Sequence, residues 1–447
     1  MSRAPIDQIV SKRASPLTGA IPIPGDKSIS HRSLILGSLA IGTTRVHGLL
    51  EGSDVMSTKD ALVALGVEIS RDNAGLWHIV GVGLNGMLSP VAPLDLGNSG
   101  TGARLLMGVV AGQKITATFY GDASLSTRPM ARITDPLVEM GANITSREGG
   151  MLPVTIQGTR GLMAANHRSK IASAQIKSAI LLAGLNARGT TIVSEPSASR
   201  DHSESMLRHF GASIFQEVAE DKSYRVKLAD GAKLRAADVI VPSDISSAAF
   251  AIVAALITPG SDIILCGIGM NPLRTGLITT LIEMGGNITK SNHRTEGGEA
   301  VADLRVKYSQ LHGITVPPDR AASMIDEYPI LSVAAASADG ITEMLGIAEL
   351  RVKETDRIKV MAEGLMSCGV KVSFDEDSMR ITKSTVKGGV TILAEHDHRI
   401  AMSFLTLGMN ADAPITVDGC ATIETSFPGF ATAMNQLGAS LANGSSI

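Results

Sequence analysis

Strongly apolar stretches recur along the chain, and a short polar or small-residue cluster precedes each of them. A helix that is apolar nearly all round is buried inside its domain, so these stretches predict six buried helices. A turn and a β-branched, strand-like segment follow each one. The six clusters are Lys27-Ser28, Asn98-Ser99-Gly100-Thr101, Ser173-Ala174-Gln175, Ser243-Asp244-Ile245-Ser246, Asp326-Glu327 and Asp397-His398-Arg399.

A second pattern, a hydrophobic residue followed by glycine and a small or β-branched residue, also occurs six times, at intervals of 69 to 84 residues. Glycine at the end of a helix adopts the left-handed conformation that stops it. Recurrence at near-constant spacing indicates a repeated helix–strand–helix–strand unit. The six steps are Leu65-Gly66-Val67, Met140-Gly141-Ala142, Phe210-Gly211-Ala212, Met284-Gly285-Gly286, Cys368-Gly369-Val370 and Leu437-Gly438-Ala439.

Six repeats predict an α/β protein with two similar domains of three repeats each. The boundary falls in the extended segment Val239–Ser243, whose early counterpart is Ile21–Pro24, because proline disfavours helix in both. The stretch from Arg294 to Val301 indicates an exposed loop.

Composition excludes several functions. The 40 Lys and Arg against 43 Asp and Glu, with 3% aromatic residues, argue against nucleic acid as a partner. The three cysteines, Cys266, Cys368 and Cys420, show neither zinc nor disulfide spacing. We find neither an apolar run of membrane-spanning length nor a secretory signal core, so we expect a cytoplasmic protein.

The stretch from Pro24 to Ser33 carries the first sign of chemistry. Asp26 or Ser28 can cap a helix that runs to about Ala40 and ends at Gly42. Lys27, Ser28 and Arg32 then lie near a helix N-terminus, where anions bind. The stretch alone fits either a phosphate or carboxylate site or a capped surface helix with ordinary basic residues.

Further cations stand at predicted element starts in both halves, at Arg128, Arg200, Lys353, Arg357 and Arg399. Each alone fits an ordinary surface ion pair. Together, in a net-acidic chain, they indicate a polyanionic small substrate bound between the two domains.

Two other motifs lack the structural context that a dinucleotide site or a metal site requires. The GxGxxG stretch from Gly81 to Gly86 lacks the helix that a dinucleotide site requires. His396 and His398 lack a third ligand, so no metal site is expected.

Four motifs together resemble the 5-enolpyruvylshikimate-3-phosphate synthase family, in its bacterial class II form. They are Pro24-Gly25-Asp26-Lys27-Ser28-Ile29-Ser30-His31-Arg32, Gly97-Asn98-Ser99-Gly100-Thr101-Gly102, Arg351-Val352-Lys353-Glu354-Thr355-Asp356-Arg357 and Asp397-His398-Arg399-Ile400-Ala401-Met402. The resemblance implies the enolpyruvyl transferase fold, two domains each of three βαβαββ repeats. Domain I would comprise residues 1–21 and 243–447, domain II residues 22–242, and the active site would lie in the cleft between them.

The resemblance also implies a reaction. Members of the family transfer the enolpyruvyl (carboxyvinyl) group of phosphoenolpyruvate to the 5-hydroxyl of shikimate 3-phosphate and release phosphate. This addition–elimination belongs to the shikimate pathway to chorismate and aromatic amino acids and needs no metal or organic cofactor. Glyphosate occupies the phosphoenolpyruvate pocket in this family, so the resemblance predicts that this chain is sensitive to it. A cytoplasmic monomer that binds neither nucleic acid nor membrane is therefore expected.

The resemblance assigns roles to matching positions. Asp326 would be the base on the 5-hydroxyl, and Lys27 and Glu354 the proton partners of the methylene carbon, with donor and acceptor left open. Shikimate 3-phosphate would be held by Lys27, Ser28, Arg32, Ser173, Ala174, Gln175, Arg200, Asp326 and Lys353. Phosphoenolpyruvate would be held by Lys27, Gly100, Arg128, Gln175, Arg357 and Arg399.

One position departs from the family. Many members carry a phosphoenolpyruvate-binding lysine where this chain has Thr425, so this cation is either missing or supplied from elsewhere in the chain.

Two rival functions stay open. The enolpyruvyl transferase acting on UDP-N-acetylglucosamine usually has a reactive cysteine where this chain has Ala123. A non-catalytic protein that binds phosphorylated metabolites is the other, although the carboxylates among the cations disfavour it.

Overall fold

Thirteen α-helices form over residues 7–444, the part of the chain that this computed structural model describes. They are α1 (Lys27–Leu39), α2 (Ser53–Ala64), α3 (Gly100–Ala111), α4 (Ala131–Glu139), α5 (Ala174–Gly184), α6 (His202–His209), α7 (Ile245–Ile257), α8 (Gly276–Glu283), α9 (Ala321–Met324), α10 (Tyr328–Ser337), α11 (Arg357–Ser367), α12 (His398–Gly408) and α13 (Phe430–Leu437). The outermost residues of predicted domain I, 1–6 and 445–447, lie outside this range.

The same residues form 24 strands, most of them short. They are β1 (Gln8–Lys12), β2 (Thr18–Ala20), β3 (Ile41–His47), β4 (Glu68–Arg71), β5 (Trp77–Val82), β6 (Leu94–Asp95), β7 (Thr116–Tyr120), β8 (Asn143–Arg147), β9 (Met151–Gln157), β10 (Asn166–Arg168), β11 (Thr191–Glu195), β12 (Ile214–Val218), β13 (Tyr224–Leu228), β14 (Val239–Ile240), β15 (Asp262–Gly269), β16 (Asn287–Glu296), β17 (Glu299–Lys307), β18 (Thr315–Val316), β19 (Ile341–Leu345), β20 (Lys371–Phe374), β21 (Ser378–Thr382), β22 (Val390–Leu393), β23 (Ile415–Asp418) and β24 (Ser440–Asn443).

The strands described by the structure pair into six four-stranded sheets of one design. In β6-β7-β9-β8, for example, β6 and β7 run parallel, whereas β9 is antiparallel to both β7 and β8. A parallel pair needs a crossover, which α3 supplies here, so this repeat reads βαβαββ. The predicted α/β fold class is confirmed. The other sheets are β14-β3-β5-β4, β10-β11-β13-β12, β16-β17-β15-β2, β18-β19-β21-β20 and β22-β23-β1-β24.

The chain divides into two compact units, each with its own hydrophobic core. Unit 1 comprises the chain up to Pro24, Pro242–Thr295 and the chain from Ala300 onwards, and every residue of its helices α7 and α12 is buried. Unit 2 comprises Gly25–Val241 with Glu296–Glu299, and α1, α3 and α5 are its most buried helices.

The six glycine steps end helices as predicted. Each glycine follows the last turn of a helix and has a φ between +88° and +115°. The helices that end there are α2, α4, α6, α8, α11 and α13.

Two local predictions are wrong. Gly42 does not end α1, because Ala40 closes that helix and β3 begins directly at Ile41. The stretch from Arg294 to Val301 is not a loop, because it consists of the ends of β16 and β17 and the two-glycine turn that joins them, with exposed and buried residues side by side. Glu299 is buried there, and its carboxylate lies 2.8 Å from His202 Nδ1.

None of the helices within residues 7–444 combines the length and the apolar character needed to cross a membrane.

Candidate active site

The first predicted site element of unit 2 is the start of α1. Asp26 caps this helix by accepting a hydrogen bond from the Ile29 N–H at 2.9 Å, so Lys27 and Ser28 are the first two residues of α1, at its N-terminal end. The Lys27 ammonium lies 3.0 Å from the Asp54 carboxylate, and both side chains are mostly buried. Asp54 therefore fixes the direction of the ammonium.

Arg32, one turn further along α1, is almost fully buried. Its guanidinium donates to Ser203 Oγ at 2.7 Å and to Ser178 Oγ at 2.9 Å. It also donates to the Ser28 carbonyl at 2.9 Å. Arg32 thus ties the start of α1 to α5 and α6.

The start of α3 brings three predicted residues together. Ser99 caps this helix, and Gly100 is its first residue. Arg128 donates to Asn98 Oδ1 and to Ser124 Oγ, which aims its guanidinium at Gly100. Gln175 joins them from α5, because its amide nitrogen donates to Thr101 Oγ1 at 3.0 Å.

The start of α5 carries Ser173 and Ala174. The Ser173 hydroxyl does not cap the helix. The backbone N–H of Ser173 instead donates to Glu195 Oε1 at 2.7 Å. Arg200 lies half-buried on the loop between β11 and α6. Beneath both segments lies a buried ion cluster of Lys177, Glu195 and Glu204.

In unit 1, Arg357 is the centre of the predicted site. Its side chain is 1% exposed, and three carboxylates surround it. Asp397 accepts from Nε at 2.7 Å, Asp326 accepts from Nη1 at 3.2 Å, and Glu354 accepts from Nη2. Burial opposes the charge, but the three carboxylates outweigh it and raise the pKa of Arg357 above its usual value.

Arg399, in the first turn of α12, extends this cluster. Its guanidinium donates to the Asp326 carbonyl at 3.0 Å and approaches Glu327 Oε1 at 3.4 Å. Asp397 caps the same helix by accepting from the Arg399 N–H at 2.9 Å. The predicted base and two predicted phosphoenolpyruvate ligands of unit 1 therefore belong to one hydrogen-bonded group.

Lys353 lies beside this group, with Nζ 3.8 Å from Glu349. Burial lowers the pKa of its ammonium, although Asp326 and Glu349 partly offset the effect. Thr425, the position of the missing family lysine, donates to the Thr422 carbonyl and lies 3.5 Å from His398 Nδ1.

Several residues that hold the predicted ones in place were not predicted from the sequence. Arg104, which donates to Gln175 Oε1 at 2.9 Å, stands four residues after Gly100 and so shares its helix face. Lys177 is a lone lysine within an apolar helix, a pattern that predicts a buried ion pair. Asp54 carried no local signal, because its partner Lys27 is 27 positions away.

The predicted residues thus form two sets. In unit 2, cations and hydroxyls gather at the starts of α1, α3 and α5. In unit 1, carboxylates and cations gather at the starts of α10, α11 and α12. The first inventory suits anion binding and the second adds groups for proton transfer. Within residues 7–444, no cluster of three or more His, Cys, Asp or Glu is arranged to hold a metal ion.

Comparison with known proteins identifies the family. The family model described as EPSP synthase (3-phosphoshikimate 1-carboxyvinyltransferase) matches residues 11–434 of this chain. A 3-phosphoshikimate 1-carboxyvinyltransferase from Methylorubrum populi is 55% identical over 98% of this chain and 97% of its own.

Solved structures agree with this match. EPSP synthase from Acinetobacter baumannii superposes with a TM-score of 0.86 and 45% identity, covering 98% of this chain and 100% of that one. The enolpyruvyl transferase NikO from Streptomyces tendae, at 16% identity, shares the fold with a TM-score of 0.74 over 98% of this chain and 99% of its own. This chain therefore belongs to the EPSP synthase (3-phosphoshikimate 1-carboxyvinyltransferase) family.

Proposed function

We propose that this chain transfers the carboxyvinyl group of phosphoenolpyruvate to the 5-hydroxyl of shikimate 3-phosphate and releases phosphate. Family membership supports the reaction, and one observation carries it at the site. Asp326 and Glu354, the proposed base and proton partner, both accept hydrogen bonds from the buried guanidinium of Arg357. Two carboxylates held by one cation are fixed in direction before substrate arrives.

In the addition step, Asp326 takes the proton of the 5-hydroxyl while the hydroxyl oxygen bonds to the substituted carbon of phosphoenolpyruvate. The methylene carbon gains a proton at the same stage and becomes a methyl group. Lys27 and Glu354 serve as its proton partners, one as donor and the other as acceptor. In the elimination step, the methyl group loses a proton, the carbon–oxygen bond to phosphate breaks, and the double bond returns.

Cations hold the two anionic substrates in register. Shikimate 3-phosphate is assigned to Lys27, Ser28, Arg32, Ser173, Ala174, Gln175, Arg200, Asp326 and Lys353, and phosphoenolpyruvate to Lys27, Gly100, Arg128, Gln175, Arg357 and Arg399. Such positioning contributes a large part of the rate of a two-substrate reaction. Contact of one substrate pair with both units stays a prediction, as do the monomeric state and the cytoplasmic location.

A phosphate-release assay tests the proposal. With saturating phosphoenolpyruvate and shikimate 3-phosphate, we expect steady phosphate release and one carboxyvinylated product per phosphate. UDP-N-acetylglucosamine in place of shikimate 3-phosphate gives none. Phosphate release with UDP-N-acetylglucosamine but not with shikimate 3-phosphate supports the enolpyruvyl transferase that acts on the sugar nucleotide. No release with either acceptor refutes the proposal.

A further inference from the structure

A fully buried ammonium lies in α5, and the proposed reaction does not use it. Lys177 Nζ lies 2.8 Å from Glu204 Oε1 and 3.0 Å from Glu195 Oε2, and all three side chains are at most 1% exposed. Burial opposes the ammonium charge, but the two carboxylates outweigh it and raise the pKa of Lys177. A charge so deep in an apolar helix persists only with such partners.

Glu195 carries this cluster to the start of α5. Its Oε1 accepts the Ser173 backbone N–H at 2.7 Å, and its carboxylate accepts the Ser199 hydroxyl at 2.8 and 3.0 Å. Ser173 is the extended residue directly before the helix. One carboxylate therefore fixes the backbone at the point where the N–H groups of α5 become available to an anion.

The same cluster also holds the segment that carries Arg200. Lys177 Nζ donates to the Ser199 carbonyl at 3.2 Å, one residue before Arg200. Glu204 lies in the first turn of α6, at the other end of that segment. Two separate pieces of chain with predicted shikimate 3-phosphate ligands thus converge on one buried ion cluster.

We propose that Glu195, locked in place by Lys177, is a positioning residue for shikimate 3-phosphate. It sets the start of α5 and the segment of Arg200 at the spacing that the phosphate group requires. Glu195 contacts backbone and buried side chains, so its effect on the substrate passes through Ser173 and Arg200. This inference rests on the proposed function. It gives a role to the buried ion cluster, none of whose residues is a predicted substrate ligand.

The Glu195→Gln variant is the direct test. Glutamine has the same size but offers one oxygen and one NH2 group to three donors, from Ser173, Ser199 and Lys177. Lys177 keeps Glu204 as its counter-ion, so the variant is expected to fold. We expect the KM and Kd for shikimate 3-phosphate to rise about tenfold, while kcat and the KM for phosphoenolpyruvate change by less than about twofold.

Val193→Ala is the matched control. Val193 is buried on the same strand, two residues before Glu195, so its truncation loosens β11 without touching the carboxylate. It should lower the Tm yet leave the KM for shikimate 3-phosphate unchanged. Equal rises of that KM in both variants would show a merely structural role and overturn the proposal.

Two further measurements keep the result unambiguous. Ser199→Ala removes only the hydroxyl that Glu195 accepts, so a rise of about threefold in the same KM is expected even if Glu195→Gln fails to fold. An unchanged KM in Ser199→Ala and in folded Glu195→Gln refutes the positioning role. Phosphate release by the unaltered protein is scored separately, because its absence refutes the proposed function instead.

Discussion

A methyl group at position 100 would lie 2.9 Å from Arg104 Nη1 and 3.2 Å from Arg128 Nη1. Both atoms end flexible side chains, so Gly100→Ala should fold while displacing the guanidinium groups. Arg128 is an assigned phosphoenolpyruvate ligand. We therefore expect a rise of about tenfold in the KM for phosphoenolpyruvate and in the inhibition constant of glyphosate, measured by initial rates of phosphate release. The KM for shikimate 3-phosphate should change little.

Gly161→Ala is the control for this prediction, because a Cβ there meets only Thr159 Oγ1, at an ordinary 3.4 Å. Its kinetics should match those of the unaltered protein. If Gly100→Ala is no more resistant to glyphosate than Gly161→Ala, crowding by the methyl group is not what shapes this pocket.

Lys27 gives a second prediction for a single residue. Lys27→Met keeps the length of the side chain but removes the ammonium that lies 3.0 Å from Asp54. We expect kcat to fall about 10²–10⁴-fold, the usual contribution of a positioned proton-transfer group. Circular dichroism should show a preserved fold. Lys383→Met, which removes an exposed ammonium paired with Asp339, should leave kcat unchanged. A Lys27→Met enzyme with near-normal turnover would remove Lys27 from the mechanism.

The three carboxylates around Arg357 differ in how far they could be predicted from the sequence. Glu354 stands only three positions before Arg357, so their contact follows from proximity along the chain, although Glu354 lies in the bend before α11 and not in the helix. Asp326 and Asp397 are 31 and 40 positions away, and only the fold brings them to the same guanidinium. The motif from Arg351 to Arg357 predicted that charged residues meet at this site. The burial of Arg357 among three carboxylates depends on tertiary packing, which no local pattern predicts.

Between elements, the buried contact of α1 with α2 makes stability depend on pH. His31 Nδ1 lies 2.8 Å from Thr58 Oγ1, and the imidazole is fully buried. Burial, with Lys27 and Arg32 adding to it and Asp26 opposing it, lowers the pKa of His31 to about 3. The unfolded chain therefore takes up a proton below pH 6.5 that the folded chain refuses, so stability falls as the pH falls. The free energy of unfolding falls by up to about 1.4 kcal/mol for each pH unit below pH 6.5.

Urea unfolding between pH 7.5 and pH 5 measures this effect. The free energy of unfolding of His31→Gln should depend less steeply on pH than that of the unaltered protein. The difference in slope should correspond to the uptake of about one proton on unfolding. His293→Gln, which changes an exposed histidine of β16, should keep the full slope. Identical slopes for His31→Gln and the unaltered protein would contradict the assignment.

Element ends were more predictable than element partners. Each of the six glycine steps ends a helix with positive φ, because that need is local to the chain. The two-residue strand β14 pairs with β3, and β1 pairs with both β23 and β24. These pairings join segments from distant parts of the sequence, and no local pattern distinguishes them from other extended stretches.

Over the whole molecule, the assigned shikimate 3-phosphate ligands belong to both compact units: Ser173, Gln175 and Arg200 to unit 2, and Asp326 and Lys353 to unit 1. A ligand that binds the native state suppresses local opening of the segments it touches. Shikimate 3-phosphate should therefore slow amide hydrogen exchange at the start of α5 and at the start of α11 over one concentration range. The β20–β21 hairpin, which carries no assigned ligand, should be unaffected. Protection of α5 alone would assign the substrate to unit 2 and remove Asp326 and Lys353 from its ligands.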